Sequence, residues 1–224
     1  MDAICPPEYA GAMFKPTPKY HELITLYARM AKEGYETRRG PRVDKAYSDQ
    51  EAAKFRLELK PLFAQHQISS VLDYGGGGTD WRDKSVPEGG SLAGFLGVED
   101  YRVFEPAREV DARGDKADAV VCFDVMEHIY VADVGYVLND LFAQAAKLVV
   151  VNVAGYQANA LLPNGENAHI TIRSAQWWQG ALEVIASAHP QVTAVLYHSD
   201  TYTNASRLPT ICHGEAIARD GYVR

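Results

Sequence analysis

The stretch VLDYGGGGT, at residues 71–79, decides the fold that we expect for this chain. An aliphatic run ends at Asp73 and Tyr74, and four glycines follow, which is typical of a buried strand that leads into a loop with almost no side chains. Because glycine allows positive φ angles and a close approach of the backbone to a ligand, we predict that this loop faces a ligand. A phosphate-binding loop would continue with Lys and then Ser or Thr, whereas residues 79–81 are TDW, so a triphosphate is not the expected ligand.

The composition predicts one domain. The chain has 224 residues, of which 47% are hydrophobic, enough for a single α/β domain with a full core. We see no apolar run near 18 residues and no charged-then-hydrophobic leader, so we expect a cytoplasmic protein without a membrane span. Three scattered cysteines predict neither a disulfide framework nor a zinc site. The net charge of -7 disfavours a nucleic-acid partner; the exception is a local basic patch at residues 38–45, which is either a contact surface or a solvated turn.

Two further segments have the form of a strand that ends in polar residues. Residues 101–106, YRVFEP, predict a second strand that ends at Glu105 and Pro106. Residues 118–129, DAVVCFDVMEHI, predict a fourth strand and its exit loop. Ligands of open α/β sheets bind at the carboxyl edge of the strands, so these three strand ends are candidates for one shared site.

Together the three segments resemble the class I S-adenosylmethionine-dependent methyltransferases, whose first motif is Asp-x-Gly-x-Gly-x-Gly and whose fourth strand leads into Asp-Val-Leu-Glu-His-Ile. The resemblance implies S-adenosylmethionine as the cofactor, with its ribose hydroxyls held by Glu105 and its adenine near Asp115 or, nearly as well, Asp111. Two features depart from the family: Gly76 stands where a cysteine is usual, and the region of the third strand is short. The cofactor-binding residues implied in this way are Asp73, Gly75, Gly76, Gly77, Gly78, Glu105, Pro106, Asp115, Phe123, Asp124 and Val125.

The resemblance also implies the architecture. We expect an α/β fold with a Rossmann-like, seven-stranded mixed sheet, strand order 3-2-1-4-5-7-6, strand 7 antiparallel, and helices on both faces. We assign residues 1–47 to an N-terminal arm and lid helix and residues 48–224 to the methyltransferase catalytic domain. The apolar pattern places the later strands at residues 148–153, 192–197 and 211–218.

Capping and breaking residues predict where the helices begin and end. A first amphipathic helix over residues 21–33 is ended by Gly34. A second helix is capped by Ser48 and kinked or ended by Pro61. Two later helices are predicted to be capped by Asp133 and Ser174.

Histidines in two loops are the candidate catalytic residues. A sulfonium already carries a good leaving group, so the protein has mainly to align the acceptor and exclude water. A hydroxyl acceptor also gains from a base, and histidine suits that role near neutral pH. His128 follows the fourth strand, and His169 lies in the long polar connection 155–173 at the same edge. We predict that His169 is the base, and that His128 and the adjacent Glu127 contribute to the site.

The same residues have an alternative use as metal ligands. Glu127, His128 and His169, with Asp124, are residue types that suit a divalent ion bound for a catechol-type substrate. Their spacing is not a recognised ligand motif, and metal-dependent members of the family use a different set of acids. No metal is therefore expected from the sequence.

The acceptor is predicted to be a small polar molecule or a sugar. Residues 65–180 resemble a bacterial subgroup of uncharacterised methyltransferases often associated with surface-polysaccharide genes. Trp177 or Trp178 is expected to face the substrate, and Tyr27 and Tyr35, with Tyr47, to belong either to a lid or to the core. We expect no nucleic-acid or membrane partner and allow for a homodimer. The alternatives are a non-catalytic S-adenosylmethionine-binding relative and a nucleic-acid-modifying methyltransferase.

Overall fold

A computed structural model describes residues 14–44, 51–78, 80–83, 86–88 and 90–208, and it confirms the α/β class with a seven-stranded mixed sheet. The central strands β2, β1, β4, β5 and β6 run parallel, whereas β3 and β7 pair antiparallel with β2 and β6. The order across the sheet is β3-β2-β1-β4-β5-β6-β7. The strands are β1 (Ser70–Tyr74), β2 (Asp100–Glu105), β3 (Val110–Asp111), β4 (Ala117–Phe123), β5 (Ala145–Ala154), β6 (Thr193–Thr201) and β7 (Asn204–Arg207).

The predicted strand order is wrong at one edge of the sheet. Strand β6 pairs directly with β5, and β7 forms the outer edge instead of lying between them. Only residues 202–203 separate β6 from β7, and a connection that short produces an antiparallel hairpin. All four residues of β7 are exposed, which suits an edge strand and not a central one. The strand predicted at residues 211–218 lies outside the described residues.

Six helices are described beside the sheet. Their bounds are α1 (Pro18–Glu33), α2 (Glu51–Lys54), α3 (Arg56–His66), α4 (Leu92–Leu96), α5 (Val131–Gln144) and α6 (Ala175–Ala186). Gly34 ends α1 with φ 78°, and the Ser174 side chain caps α6 by accepting from the Trp177 N–H, both as predicted. The predicted cap at Ser48 lies outside the described residues, as does the predicted boundary at 47/48. None of the described helices is both long and apolar enough to cross a bilayer.

One predicted helix cap, Asp133, is wrong. Helix α5 begins at Val131, and Asp133 lies buried in its first turn, where its carboxylate accepts from the N–H and the hydroxyl of Thr17 at 2.7 and 2.8 Å. A long-range partner thus takes the side chain that was expected to cap the helix. The sequence left open whether Pro61 kinks or ends its helix, and the structure places it inside α3, which continues to His66. Both Pro61 and Leu57, whose carbonyl loses its helical donor, lie on the exposed side of α3, where water can replace the missing bond.

The hydrophobic core lies on both faces of the sheet. Val120 and Cys122 of β4 point to the face covered by α1, α5 and α6, whereas Val121 points to the face covered by α2, α3 and α4. Strands buried on both faces explain the nearly continuous apolar runs in the sequence. Helix α1 belongs to the first of these cores, with Leu23 and Met30 fully buried, and each such side chain contributes about 1.5–3 kcal/mol.

Candidate functional site

A cavity of about 360 Å³ opens at the carboxyl edge of the parallel strands. The ends of β1, β2 and β4 form its floor, and α1 covers it. This is the edge at which open α/β sheets bind their ligands, and the volume falls within the range of about 300–1,000 Å³ typical of small-molecule sites. Helix α1 contributes Tyr20, Leu23, Ile24, Tyr27 and Met30 to the lining.

The glycine loop after β1 fits tightly against its neighbours. Gly75 has φ 80° and donates its N–H to the Phe104 carbonyl at 2.7 Å. A Cβ at this position would lie 2.4 Å from Val125 Cγ2, so only glycine fits. Gly77 has φ 62° and donates its N–H to Glu105 Oε2 at 3.0 Å. The loop therefore presents bare backbone to the cavity between the ends of β2 and β4.

Asp73, the acid at the end of β1, is buried under this loop. Its Oδ2 accepts from Trp81 Nε1 at 2.8 Å and from the Tyr101 hydroxyl at 3.4 Å. Burial raises the pKa of Asp73 to about 7, and the bonds from Trp81 and Tyr101 offset only part of that effect. A Cβ on Gly76 would lie 2.7 Å from the Asp73 carboxyl, so the loop wraps closely around this side chain. The sequence did not lead us to predict a role for Trp81. A buried indole N–H needs a hydrogen-bond acceptor, and Asp73, eight residues earlier in the chain, is a candidate that the sequence offers.

Glu105 is held at the end of β2 by main-chain donors. Its Oε2 accepts from Gly77 and its Oε1 from the Ala107 N–H at 3.0 Å. Burial raises the pKa of Glu105, and these two bonds counteract part of the rise. A carboxylate has about four lone-pair sites, so two remain for ligand hydroxyls. Pro106 starts the 3₁₀ turn Pro106–Arg108, against which α1 packs.

The exit of β4 brings together an acid and two histidines. Asp124 follows the strand with φ 57°, a left-handed conformation that Asp tolerates better than most residues. His128 ends the 3₁₀ turn that follows, and its ring contacts the edge of the His169 ring, with centroids 4.8 Å apart. His169 Nε2 lies 3.8 Å from Asp124 Oδ1. The predicted convergence of the two histidines on one cleft is therefore confirmed.

Hydrogen bonds fix the orientation of both imidazoles. His169 Nδ1 lies 2.5 Å from the Tyr156 carbonyl oxygen, which can only accept, so Nδ1 donates and Nε2 faces Asp124. His128 Nδ1 lies 2.9 Å from the Ala168 carbonyl and 2.6 Å from the Tyr27 hydroxyl, which itself donates to that carbonyl. If Nδ1 of His128 carried no hydrogen, its lone pair would face the lone pairs of the Ala168 carbonyl oxygen. We therefore assign the tautomer in which Nδ1 carries the hydrogen. The ring also interacts with the Asp124 main chain.

Burial sets the charge state of two residues at this exit. It lowers the pKa of His128 to about 4, an effect that Asp124 opposes and His169 increases. The His128 ring is therefore neutral at physiological pH. Glu127 has no exposed surface, and burial raises its pKa well above the usual value, with a further rise from Asp124. Its Oε1 accepts from the Ala154 N–H at 2.5 Å, whereas its Oε2 has no hydrogen-bond partner among the described residues.

The structure brings most of the predicted site residues to the cavity wall. Glu127 lies behind the wall, Gly78 is exposed beside it, and Asp115 is exposed and away from it. The predicted residues that line the cavity are Asp73, Gly75, Gly76, Gly77, Glu105, Pro106, Phe123, Asp124, Val125, His128 and His169.

The prediction that a tryptophan of α6 faces the substrate is wrong. Trp178 is fully buried in the core, Trp177 packs against the same core, and neither lines the cavity. Helix α6 covers the sheet, and its aromatic residues are used there. Tyr27 and Tyr35 do line the cavity, whereas Tyr47 lies outside the described residues. The lining also includes residues that sequence reasoning missed, among them Glu51, Trp81, Arg108, Tyr156, Asn159 and Tyr202.

Comparison with known proteins leaves these residues and their geometry as the basis for assigning a function. Searches against protein-family models, curated proteins and solved structures each find no match.

Proposed function

We propose that this protein is an S-adenosylmethionine-dependent methyltransferase that acts on a small polar molecule or a sugar, at oxygen or nitrogen. The observation that carries the proposal is the turn of bare glycine backbone joined by the Gly77–Glu105 hydrogen bond to a second acid at the neighbouring strand end. The sequence resemblance assigns these same two elements to the cofactor.

The residues at the cavity fit this cofactor. The two remaining lone-pair sites of Glu105 suit a pair of ribose hydroxyls. Phe123, Val125 and Pro106 line the cavity close to it and offer apolar surface for a flat adenine ring. Gly75, Gly76 and Gly77 line the cavity with backbone alone, against which the amino-acid end of the cofactor would lie. Asp115, in contrast, does not line the cavity, so it is not proposed as an adenine contact.

The chemistry needs an acceptor that is held in line and a path for its proton. The bound cofactor would supply a methyl group on a sulfonium: the S–CH₃ bond breaks as an O–CH₃ or N–CH₃ bond forms, the sulfur becomes a neutral thioether, and the acceptor loses a proton. His169 Nε2 faces the cavity and is the proposed proton acceptor. Tyr27 and Tyr156 border the same region and would help exclude water.

The size of the cavity and the charge of the protein support a small acceptor. A volume of about 360 Å³ has to contain the cofactor and the reacting part of the acceptor. The polar groups at its histidine end, such as Asn159 and Tyr156, suit hydroxyl-bearing molecules. A net charge of -7 opposes a polyanionic substrate.

Titration calorimetry with S-adenosylhomocysteine tests the proposal. Glu105→Gln keeps one acceptor oxygen for the Gly77 or Ala107 N–H but loses hydrogen bonds to the ribose, and it should weaken binding by about 1.5–3 kcal/mol, roughly ten- to a hundredfold. The matched control is Glu99→Ala, an exposed acid just before the same strand, which should bind normally. Absence of binding at millimolar ligand, or equal affinity in the Glu105 variant with an unchanged melting temperature, would reject the proposal.

A further inference from the structure

We propose that Asp124, His128 and His169 bind a divalent first-row transition-metal ion. Each offers one ligand atom, and the three atoms lie within 4.8 Å of one another at the cavity wall. Two elements far apart in the chain supply them: the exit of β4 gives Asp124 and His128, and the connection between β5 and α6 gives His169. Binding of the ion can be tested whether or not the proposed function is correct. A role of the ion in methyl transfer, in contrast, rests on the proposed function.

The distances are close to those of a metal site. Two metal–ligand bonds of about 2.1 Å can span at most about 4.2 Å. His169 Nε2 and Asp124 Oδ1, 3.8 Å apart, are already within that span. The third atom, from His128, needs only a small side-chain rotation. Asp124 is the one ligand with substantial exposure, 37% of its side chain, so an ion can enter from the cavity side.

The outer contacts are those of metal-binding histidines. Such a histidine almost always donates its second ring N–H to a carbonyl or carboxylate, which fixes its orientation. His169 donates from Nδ1 to the Tyr156 carbonyl, and His128 from Nδ1 to the Ala168 carbonyl. Nε2 is therefore the candidate ligand atom of each ring.

An unsatisfied carboxyl group next to the cluster gives independent support. Glu127 Oε2 is fully buried and has no hydrogen-bond partner among the described residues. A cation bound by Asp124 and the histidines would place a positive charge beside this unsatisfied oxygen.

The ligand types select the class of ion. Two imidazole nitrogens with one carboxylate suit Mn²⁺, Fe²⁺, Co²⁺, Ni²⁺ or Zn²⁺, whereas Mg²⁺ and Ca²⁺ prefer oxygen ligands. Three protein ligands leave open positions at the ion. An acceptor hydroxyl bound there would have a lower pKa, so it would release its proton to solvent water without the help of a free imidazole. The His169 lone pair would then bind the metal instead of acting as the base.

The test is metal binding by the untagged full chain after treatment with a chelator. We expect calorimetry with Mn²⁺ or Co²⁺ to show one ion per chain, and the visible spectrum of Co²⁺ to report nitrogen and oxygen ligands. Asp124→Asn removes a charged ligand but keeps a residue that tolerates φ 57°, so it should fold normally. Loss of a residue that only hydrogen-bonds to a metal ligand typically lowers metal affinity roughly 10- to 100-fold. Asp124→Asn and His169→Ala each remove a ligand, so each should lower the metal affinity by more than that. The control is His21→Ala, an exposed histidine away from the cavity, which should bind like the parent.

Two results would overturn the site: no stoichiometric binding at millimolar metal, or equal affinity in the parent and in Asp124→Asn with an unchanged melting temperature. Titrating S-adenosylhomocysteine into the same metal-free protein separates this inference from the proposed function. Cofactor binding without metal binding rejects the metal site and leaves the function standing. Metal binding without cofactor binding supports the site and rejects the function.

Discussion

Replacing Asp73 by Asn should make the protein more stable above pH 7. Burial raises the pKa of Asp73 from 3.8 to about 7, so the folded protein holds a proton that the unfolded chain releases over that interval. A raised folded-state pKa means that the contribution of the group to stability is complete below pH 3.8 and is lost as the pH rises to about 7. Three pH units at about 1.4 kcal/mol each set an upper limit of about 4 kcal/mol for this loss.

The amide introduced by Asp73→Asn is uncharged at every pH, and its oxygen can still accept from Trp81 Nε1. The difference in unfolding free energy between Asp73→Asn and the parent should therefore increase in favour of the variant from pH 4 to 7, and then level off. Urea denaturation of both proteins in steps between pH 4.5 and 8.5, without ligand, measures this difference. A variant less stable than the parent by the same amount at every pH would show that the buried carboxyl is charged in the fold.

Asp118 provides a control of opposite sign. Burial raises its pKa, but the bonds from Lys147 and from Ser69 and Ser70 outweigh that effect and hold the pKa well below its usual range. A lowered folded-state pKa contributes stability above pH 3.8 that is lost as the pH falls. Asp118→Asn should therefore destabilise the protein near neutral pH, with the cost shrinking in acid.

Two further substitutions test the packing around the cavity. Gly75→Ala should destabilise the protein by about 2–5 kcal/mol, because it adds a clash with Val125 to the strain of a left-handed φ. The control Gly97→Ala, at φ 77° with open space around it, should cost only about 1–2 kcal/mol. Equal losses of unfolding free energy in urea denaturation would contradict the close fit of the loop. Tyr27→Phe removes the hydroxyl that donates to the Ala168 carbonyl and should lower the unfolding free energy by about 0.5–1.5 kcal/mol, and an unchanged value would mean that water replaces the bond without loss.

Local patterns predicted the parts of the fold that depend on neighbouring residues. The apolar runs of β1, β4 and β5 and the cap at Ser174 are contiguous in sequence, so their structure could be inferred from it. The meeting of His128 and His169 was also predictable, because the carboxyl ends of parallel strands lie at one edge of the sheet.

Features that depend on distant partners could not be predicted in the same way. Asp133 has the position of a helix cap, and only the fold shows that Thr17, 116 residues away in the chain, takes its carboxylate. The order of β6 and β7 depends on a hairpin turn that carries no strong turn signal. One of Trp177 and Trp178 was expected to face the substrate because their helix begins near the site loop, whereas both pack against the core.

The docking of α1 over the cavity depends on residues that follow the helix by more than a hundred positions. The helix is synthesised well before its hydrogen-bonding partners: Asp133 follows Thr17 by 116 residues, and Ala168 follows Tyr27 by 141. A nascent chain therefore carries an amphipathic helix with an uncovered apolar face until the segment around Ala168 has emerged. Because that segment also contributes His169, the roof of the cavity and its second histidine are put in place by the same late step.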